Sequence, residues 1–317
     1  MNKLIVTNSS MHTFMSCRQK YDFRYNKNIV SREKAPALSF GTAVHAGLEF
    51  WFKFGLYGSS VEATTISGIE NEIDEADLIK AQELVRAYIN KYQDEDFDVK
   101  EIEYTFESPV RNPKTKRISP KAVYSGKVDG LIEKDGELWI LEHKTSSNAD
   151  EDYFLCKDFD DQIALYAIAI EEIVGRPVVG ALYDVIIKPR LVMAKGETDE
   201  EYAGRLFASK TGKVKRKEAE SPEDFRARCA EAITENNFFR KWIRFDPIEM
   251  IKKRAAFWSV VKDMRTGQIY QNTFQCLNSY SPCEYRYLCH EHGDLSQCAD
   301  CYETRKPHEE LGDPNHG

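Results

Sequence analysis

Apolar positions alternate between helical and extended spacing along the chain, and each change of period marks an element boundary. The opening segment TNSSMHTFMSCRQKYDFRY (7–25) sets Ser9 and Ser10 ahead of a short amphipathic run, the arrangement of a capped helix. Residues 36–57 predict a second helix with Gly41, Val44, His45 and Leu48 on one face, and residues 75–93 a third. From residue 98 the period drops to two. DVKEIEYTFESPV (98–110) alternates as a strand and runs into the polar loop RNPKTKRISP. Two further strands, 122–133 and 137–145, flank Lys134-Asp135-Gly136, a hairpin turn because Gly136 admits positive φ. Helical spacing returns over 158–174, and VGALYDVIIK (179–188) reads as a buried strand stopped by Pro189. A charged stretch, 194–220, is expected to be mobile. A helix near 221–236, a strand near 239–245 and a helix near 247–265 follow. Three strands, a helix and a fourth strand, wrapped by further helices, make an α/β core with no internal repeat.

At 317 residues the chain has room for one large domain or two small ones. With 42% hydrophobic and 30% charged residues it is not of the disordered class. No apolar run is long enough to span a bilayer and the start lacks a signal-peptide pattern, so an intracellular, cytoplasmic protein with no membrane partner is expected. A net charge of −8 disfavours a polyanionic partner unless cations are gathered locally. Two stretches gather them: Arg111, Lys114, Lys116, Arg117 and Lys121, then Lys210, Lys213, Lys215, Arg216 and Lys217. Solvated loop charge accounts for either patch equally well. Cysteine use changes the picture more. Cys17, Cys156 and Cys229 are scattered, the latter two reading as small buried side chains, whereas Cys276, Cys283, Cys289, Cys298 and Cys301 crowd the end of the chain. In a reducing compartment such a cluster points to metal or redox chemistry rather than disulfides.

The segment SGKVDGLIEKDGELWILEHKTSS (125–147) holds the strongest chemical signal. In a strand Glu142 and Lys144 project to one side while Leu141 and His143 face the other, and Asp129 on the preceding strand can lie across from Glu142. Two carboxylates beside a lysine, emerging from the apolar run Leu138–Leu141, suit a hard divalent cation, with the His143 backbone carbonyl as a further oxygen ligand. Such an ion polarises a phosphoryl oxygen and activates water, while Lys144 can orient the water and stabilise developing negative charge. Taken alone, the same residues are an ordinary Glu–Lys pair on a surface hairpin. Gln162 and Tyr166, four apart on the following helix, could hydrogen-bond a phosphate or bracket the lysine; alone, Tyr166 is a core-edge tyrosine. His45 on its apolar face is a core histidine unless Gly41 lets its helix approach the sheet closely.

In order along the chain, Gly41-Thr42-Ala43-Val44-His45, Val128-Asp129-Gly130, Glu142-His143-Lys144 and Gln162 with Tyr166 resemble the RecB-type branch of the PD-(D/E)XK nuclease superfamily. The resemblance implies a single nuclease domain over 1–317 with a restriction-endonuclease-like core at about 36–268, a mixed sheet flanked by helices. It implies that His45, Asp129 and Glu142 bind Mg²⁺ or Mn²⁺, that Lys144 is catalytic, and that Gln162 and Tyr166 form the helix motif of this branch. Phage relatives carry a strand similar to Tyr183–Pro189, which makes Lys188 a candidate DNA contact beside Lys116 and Arg117. AddB-like and CRISPR-adaptation nucleases of this branch hold a [4Fe–4S] cluster between the chain ends. Here that assigns Cys17, Cys276, Cys283 and Cys289, in a region formed by 9–25 with 270–301, and leaves 302–317 as a flexible tail. The gap from Cys276 to Cys283 is longer than in the family pattern, so Cys298 or Cys301 could substitute. Zinc is the competing metal, since Cys298-x2-Cys301 with His290 and His292 nearby has zinc-like spacing. The expected activity is exonucleolytic hydrolysis of single-stranded or free DNA ends, in repair or recombination. No ATP-binding loop appears, so a helicase or recombination protein is an expected partner, and a phage-type member an expected source. The alternatives are a DNA-binding scaffold with a dead site and a zinc-stabilised interaction protein.

Overall fold

The computed structural model describes residues 3–32, 36–148, 161–209, 211, 214–277, 282–305 and 308. A three-residue strand, β1 (Leu4–Val6), precedes α1 (Asn8–Ser16), α2 (Arg18–Tyr21) and a second short strand, β2 (Ile29–Ser31). Three longer helices follow, α3 (Pro36–Phe54), α4 (Tyr57–Glu70) and α5 (Glu75–Tyr92), then β3 (Asp98–Arg111), β4 (Ile118–Lys134) and β5 (Glu137–Ser146). The second half contains α6 (Asp161–Val174), β6 (Val178–Ile187), α7 (Asp199–Ala208), α8 (Pro222–Ala232), β7 (Phe238–Arg244), α9 (Pro247–Thr266), α10 (Arg286–His290) and β8 (Tyr302–Thr304).

The sheet is mixed. β3 pairs antiparallel with one edge of β4 along most of its length. On the other edge β1 pairs parallel with residues 122–124, and β5 pairs antiparallel with residues 130–134. Beyond β5 lie β6, parallel to it, and β7, antiparallel to β6. A parallel β5–β6 neighbour relation needs a crossover, and α6 supplies its helix. Between the stretches paired to β1 and β5, residues 125–129 of β4 have no strand partner on that edge among the described residues. This break in the ladder contains Asp129.

Two apolar layers hold the sheet. α6 and α9 bury Ile163, Ala167, Ile170, Phe257 and Val261 against Val6, Tyr124, Ile140 and Val185. On the other side α3 and α5 bury Phe40, Val44, Leu48, Leu84, Val85 and Tyr88 against Ile186 and Phe238. Each such large side chain contributes about 1.5–3 kcal/mol by leaving water. α3 comes close to β5 because residue 41 is glycine: a Cβ there would stand 2.9 Å from Thr145 Oγ1.

The chain ends meet. β2 pairs antiparallel with β8, the Tyr285 hydroxyl donates to the Ile29 carbonyl at 2.8 Å, and Asn272 Nδ2 donates to the Ser16 carbonyl at 2.8 Å. Phe23, Ile29, Tyr285, Leu288, Cys298 and Tyr302 form a small separate core there.

The expected elements appear within a few residues of their spacing-based bounds, with the following differences. α4 and α7 form where no helix was expected, the latter inside the stretch expected to be mobile, where Thr198 and Glu201 make a capping box. The helix expected over 221–236 ends at Ala232, with a 3₁₀ turn at Glu235–Asn237. β1, β2 and β8 are too short to show a period. The start of the helix expected at 158 and Cys156 lie outside the described residues.

Candidate active site and cysteine cavity

The β4–β5 register, Gly130 opposite Leu141, sets Asp129 opposite Glu142 at the next step, where the backbone ladder stops. There the His143 backbone N–H donates instead to Asp129 Oδ2, at 2.8 Å. The other carboxylate oxygen, Oδ1, stands 3.6 Å from His45 Nδ1 of α3. Glu142, 3% exposed, is ion-paired with Lys144, whose side chain stays partly open to solvent. From α6, Gln162 Nε2 donates to the Tyr166 hydroxyl at 3.2 Å. His45, Asp129, Glu142, Lys144, Gln162 and Tyr166 therefore gather at the break in the sheet.

The two carboxylates are driven apart electrically. Burial pushes Asp129 upward, but the facing His45, through charge and hydrogen bond, outweighs it and holds the carboxyl far below the usual range. Glu142 is raised, by burial first and by the Asp129 charge in addition, against the pull of Lys144 and His45. His45 is raised: burial opposes its charging, and Asp129 more than compensates. Burial, aided by Glu142, pushes the Tyr166 hydroxyl up to about 12, so it stays neutral. A buried and a partly buried carboxylate meeting beside a lysine and a histidine are an oxygen-donor set of the kind a hard divalent cation fits. Among the described residues no group of three or more His, Cys, Asp or Glu side chains stands in a preformed metal array.

Behind the site His143 is buried among Phe52, Tyr88 and His45, with ring centroids at 5.4, 5.9 and 6.1 Å. Its Nδ1 lies 3.3 Å from Asp184 Oδ2 of β6. Asp184 is fully buried and is also bonded by the Tyr88 hydroxyl and, at 3.0 Å, by Arg240 of β7. Nothing in the spacing of the sequence announced this support, although a lone Asp in the apolar run VVGALYDVII requires a partner.

The sequence matches the PD-(D/E)XK nuclease family model over residues 6–290. The chain belongs to the PD-(D/E)XK nuclease superfamily. No curated protein matches the sequence. Among solved structures, the chain is similar to a candidate exonuclease from Eubacterium rectale, with a TM-score of 0.47 and 12% identity over 97% of this chain and 92% of the other. A second, SSO0001, gives a TM-score of 0.30 and 9% identity over 84% of this chain and 87% of the other. The mixed central sheet flanked by helices fits the restriction-endonuclease-like core of the superfamily, and no helix among the described residues is long and apolar enough to cross a membrane.

In this superfamily member Cys17, Cys276, Cys283 and Cys289 line one cavity of about 240 Å³. The long spacing from Cys276 to Cys283 is taken up by a fold-back, with a Leu277–Pro282 bridge and the Cys283 N–H donating to the Cys276 carbonyl at 2.9 Å. Burial, with the thiols of Cys283, Cys17 and Cys276 adding, pushes Cys289 up to about 11. The Asn272 backbone N–H points at Cys17 Sγ (3.4 Å) and Gln271 Nε2 at Cys276 Sγ (3.6 Å). The cavity is thus lined by four thiols, two of which face N–H donors. Cys298 packs in the small core instead, Cys301 is exposed, and His290 turns outward to Glu291.

The candidate nucleic-acid contacts separate. Lys188 follows β6 directly, donates its backbone N–H to Ser146 two residues beyond Lys144, and pairs with Asp77 at 2.5 Å over the Phe40 ring. Lys116 and Arg117 sit in the β3–β4 turn, about 40 Å along β4 from Asp129 at ~3.3 Å per residue. Lys210 and Lys213 lie outside the described residues.

Proposed function

We propose that this chain is a Mg²⁺- or Mn²⁺-dependent deoxyribonuclease of the RecB-type branch. The observation that carries the reading is the cross-strand meeting of the partly buried Asp129 with the buried Glu142, flanked by Lys144 and His45 where the β4 edge is unpaired. Asp129, Glu142, His45 and the His143 carbonyl would hold the divalent ion, which when bound supplies Lewis acidity at a phosphoryl oxygen and makes water a better nucleophile. Asp129 contributes negative charge for that ion. Lys144 orients the attacking water and stabilises charge developing on the phosphoryl oxygens. Tyr166, held neutral and fixed by Gln162, donates toward a non-bridging oxygen. Hydrolysis breaks one phosphorus–oxygen ester bond, the water oxygen going to phosphorus and a proton to the leaving alcohol.

Lys188, at the end of the strand beside Lys144, contacts the DNA backbone, with Lys116 and Arg117 too distant to touch the same phosphate. Exonucleolytic action on single-stranded or free DNA ends follows from the RecB-type likeness, as do a repair or recombination role, a helicase partner and a cytoplasmic, phage-type setting. Cys17, Cys276, Cys283 and Cys289 would hold a [4Fe–4S] cluster that ties residues 9–25 to 270–301; their common cavity supports this set over one containing Cys298 or Cys301. Purified protein should be brown with broad visible absorption, and colourless, zinc-replete protein would replace the cluster by zinc. The activity is tested by digesting end-labelled linear, circular, single-stranded and duplex DNA with Mg²⁺ or Mn²⁺. Mononucleotide release from linear strands and none from circles is expected; no cleavage of any substrate by metal-loaded protein would leave only a binding module.

A further inference from the structure

On the face of the sheet covered by α3 and α5, the registers of β5, β6 and β7 line side chains up in rows. Leu141, Leu182 and Trp242 make one row, and Ile186 and Phe238 belong to another. Between them the row reads His143, Asp184, Arg240. Asp184 in its middle has no exposed surface, and His143 is 4% exposed. The contacts of the row converge on one atom, Asp184 Oδ2. It accepts from the Tyr88 hydroxyl of α5 and from Arg240 at 3.0 Å, and it faces His143 Nδ1 at 3.3 Å. Arg240 continues to Glu95 at 2.8 Å. A buried ionic row between apolar rows adds little stability, because apolar side chains of similar volume fill such a place as well or better. The fold alone gives no reason for it.

The row ends at His143, and at that residue the two carboxylate-bearing strands are joined. Glu142 and Lys144 flank it in sequence and project to the opposite face. The β4–β5 ladder stops at Gly130 opposite Leu141, so beyond that step β5 is paired on its β6 edge only, among the described residues. The gap is bridged by the His143 backbone N–H, which donates to Asp129 Oδ2 at 2.8 Å. A peptide held by strand pairing on one edge can turn about the strand axis. Such a turn would swing the N–H off Asp129 and re-aim the carboxylates of residues 129 and 142 relative to one another. The His143 ring resists it: the ring lies against Phe52, with centroids 5.4 Å apart, and its Nδ1 is drawn to Asp184. Phenylalanine would meet the packing equally well. Only the polar row distinguishes histidine from it.

We propose that Asp184 is a positioning residue for the divalent ion, holding the His143 ring and through it the backbone N–H that fixes Asp129. The proposal rests on the metal-site reading of Asp129 and Glu142, and its test reads metal binding without DNA. Mn²⁺ is titrated into the full chain and the paramagnetic resonance signal of the free ion followed, with the binding that survives in Glu142→Ala subtracted. Three variants separate positioning from packing. His143→Phe keeps a ring and loses the polar contact. Arg240→Met with Asp184→Leu turns the rest of the row apolar. His143→Asn loses the ring but returns an amide donor to the place of Nδ1. The first two should unfold in urea near the parent midpoint yet bind Mn²⁺ about ten-fold more weakly, the loss expected when a group orienting a metal ligand is removed. His143→Asn should be the least stable of the three and bind Mn²⁺ more tightly than His143→Phe, whereas a packing role ranks stability and binding the same way. Binding by either of the first two within about two-fold of the parent, or tighter binding by His143→Phe than by His143→Asn, would overturn the proposal. If the parent binds Mn²⁺ and cleaves while the variants match it, the role of Asp184 falls and the nuclease reading stands. A parent that neither binds Mn²⁺ nor cleaves DNA removes both.

Discussion

Replacing Arg240 by Met tests whether the polar group behind the active site is held by charge. Arg240 bonds Asp184 at 3.0 Å, the Tyr88 hydroxyl at 2.6 Å and Glu95 at 2.8 Å, and its guanidinium lies 3.7 Å from the Tyr92 ring centre. Met fills much of the volume but leaves Asp184, which has no exposed surface, without its cation. Breaking a buried pair from one side costs about 3–5 kcal/mol. At ~2–4 °C per kcal/mol for domains approaching this size, Tm should drop by roughly 6–20 °C. The pH dependence carries a sign. In the parent, burial raises the Asp184 carboxyl, but the His143 hydrogen bond and the Arg240 charge bring it below its usual value. Its stabilisation is present above the unfolded carboxylate value, about 3.9, and is lost as pH falls through the lower folded one. Removing the Arg240 charge raises the carboxyl relative to the parent, so the gap between the two is full at neutral pH and shrinks as pH falls through the raised value. Urea unfolding at pH 7 and pH 5 should therefore show a narrower gap between parent and variant at the lower pH. A double variant, Arg240→Met with Asp184→Leu, should recover most of the loss. A single-variant cost under about 1 kcal/mol at pH 7, or a gap that widens on acidification, would refute the reasoning.

Other outcomes follow from the same contacts. A Cβ at Gly126 would stand 2.7 Å from Phe106 Cζ and 2.8 Å from Tyr166 Cε1, so Gly126→Ala should cost about 1–3 kcal/mol in urea unfolding and displace Tyr166 from Gln162, lowering kcat; unchanged kcat with unchanged stability would contradict this packing. If the proposed cluster is present, Cys283→Ser should abolish visible absorption and lower Tm by several degrees, because the cluster would tie the two segments that supply its thiols; a brown variant melting like the parent would remove Cys283 from the set. Lys188→Ala should reduce the salt slope of DNA binding by about one unit, read by anisotropy across an NaCl series, and an identical slope would exclude a phosphate contact.

Much of the candidate site was legible because strand alternation is rigid. Once 122–133 and 137–145 are strands about a two-sided turn, Asp129 and Glu142 must come close, and the observed register brings them opposite one another. The break in the β4 edge was not legible, since it depends on a three-residue strand, β1, arriving from more than a hundred residues away. The same holds for Arg240: Asp184 in an apolar strand asks for a cation, but which one is decided by the β6–β7 pairing. α4 escaped notice because Ser, Thr and Gly dilute its apolar spacing, and Gly47 and Gly68 serve close helix packing there instead. α7 was hidden by its charge, although its capping box could have been read directly. The cysteines gave the reverse lesson. Sequence spacing made Cys276 the weakest member of its set, while the fold-back to Cys283 brings it to the same cavity.

The rate of nucleotide release from end-labelled DNA by Lys144→Ala, compared with the parent at saturating Mg²⁺ or Mn²⁺, bears most directly on the catalytic assignment. Loss of one charge-stabilising donor at the reacting phosphate should slow cleavage by about 10²–10³-fold, in protein whose circular dichroism and visible absorption match the parent. Cleavage within two-fold of the parent rate would mean that the ester bond is broken somewhere other than beside Asp129 and Glu142.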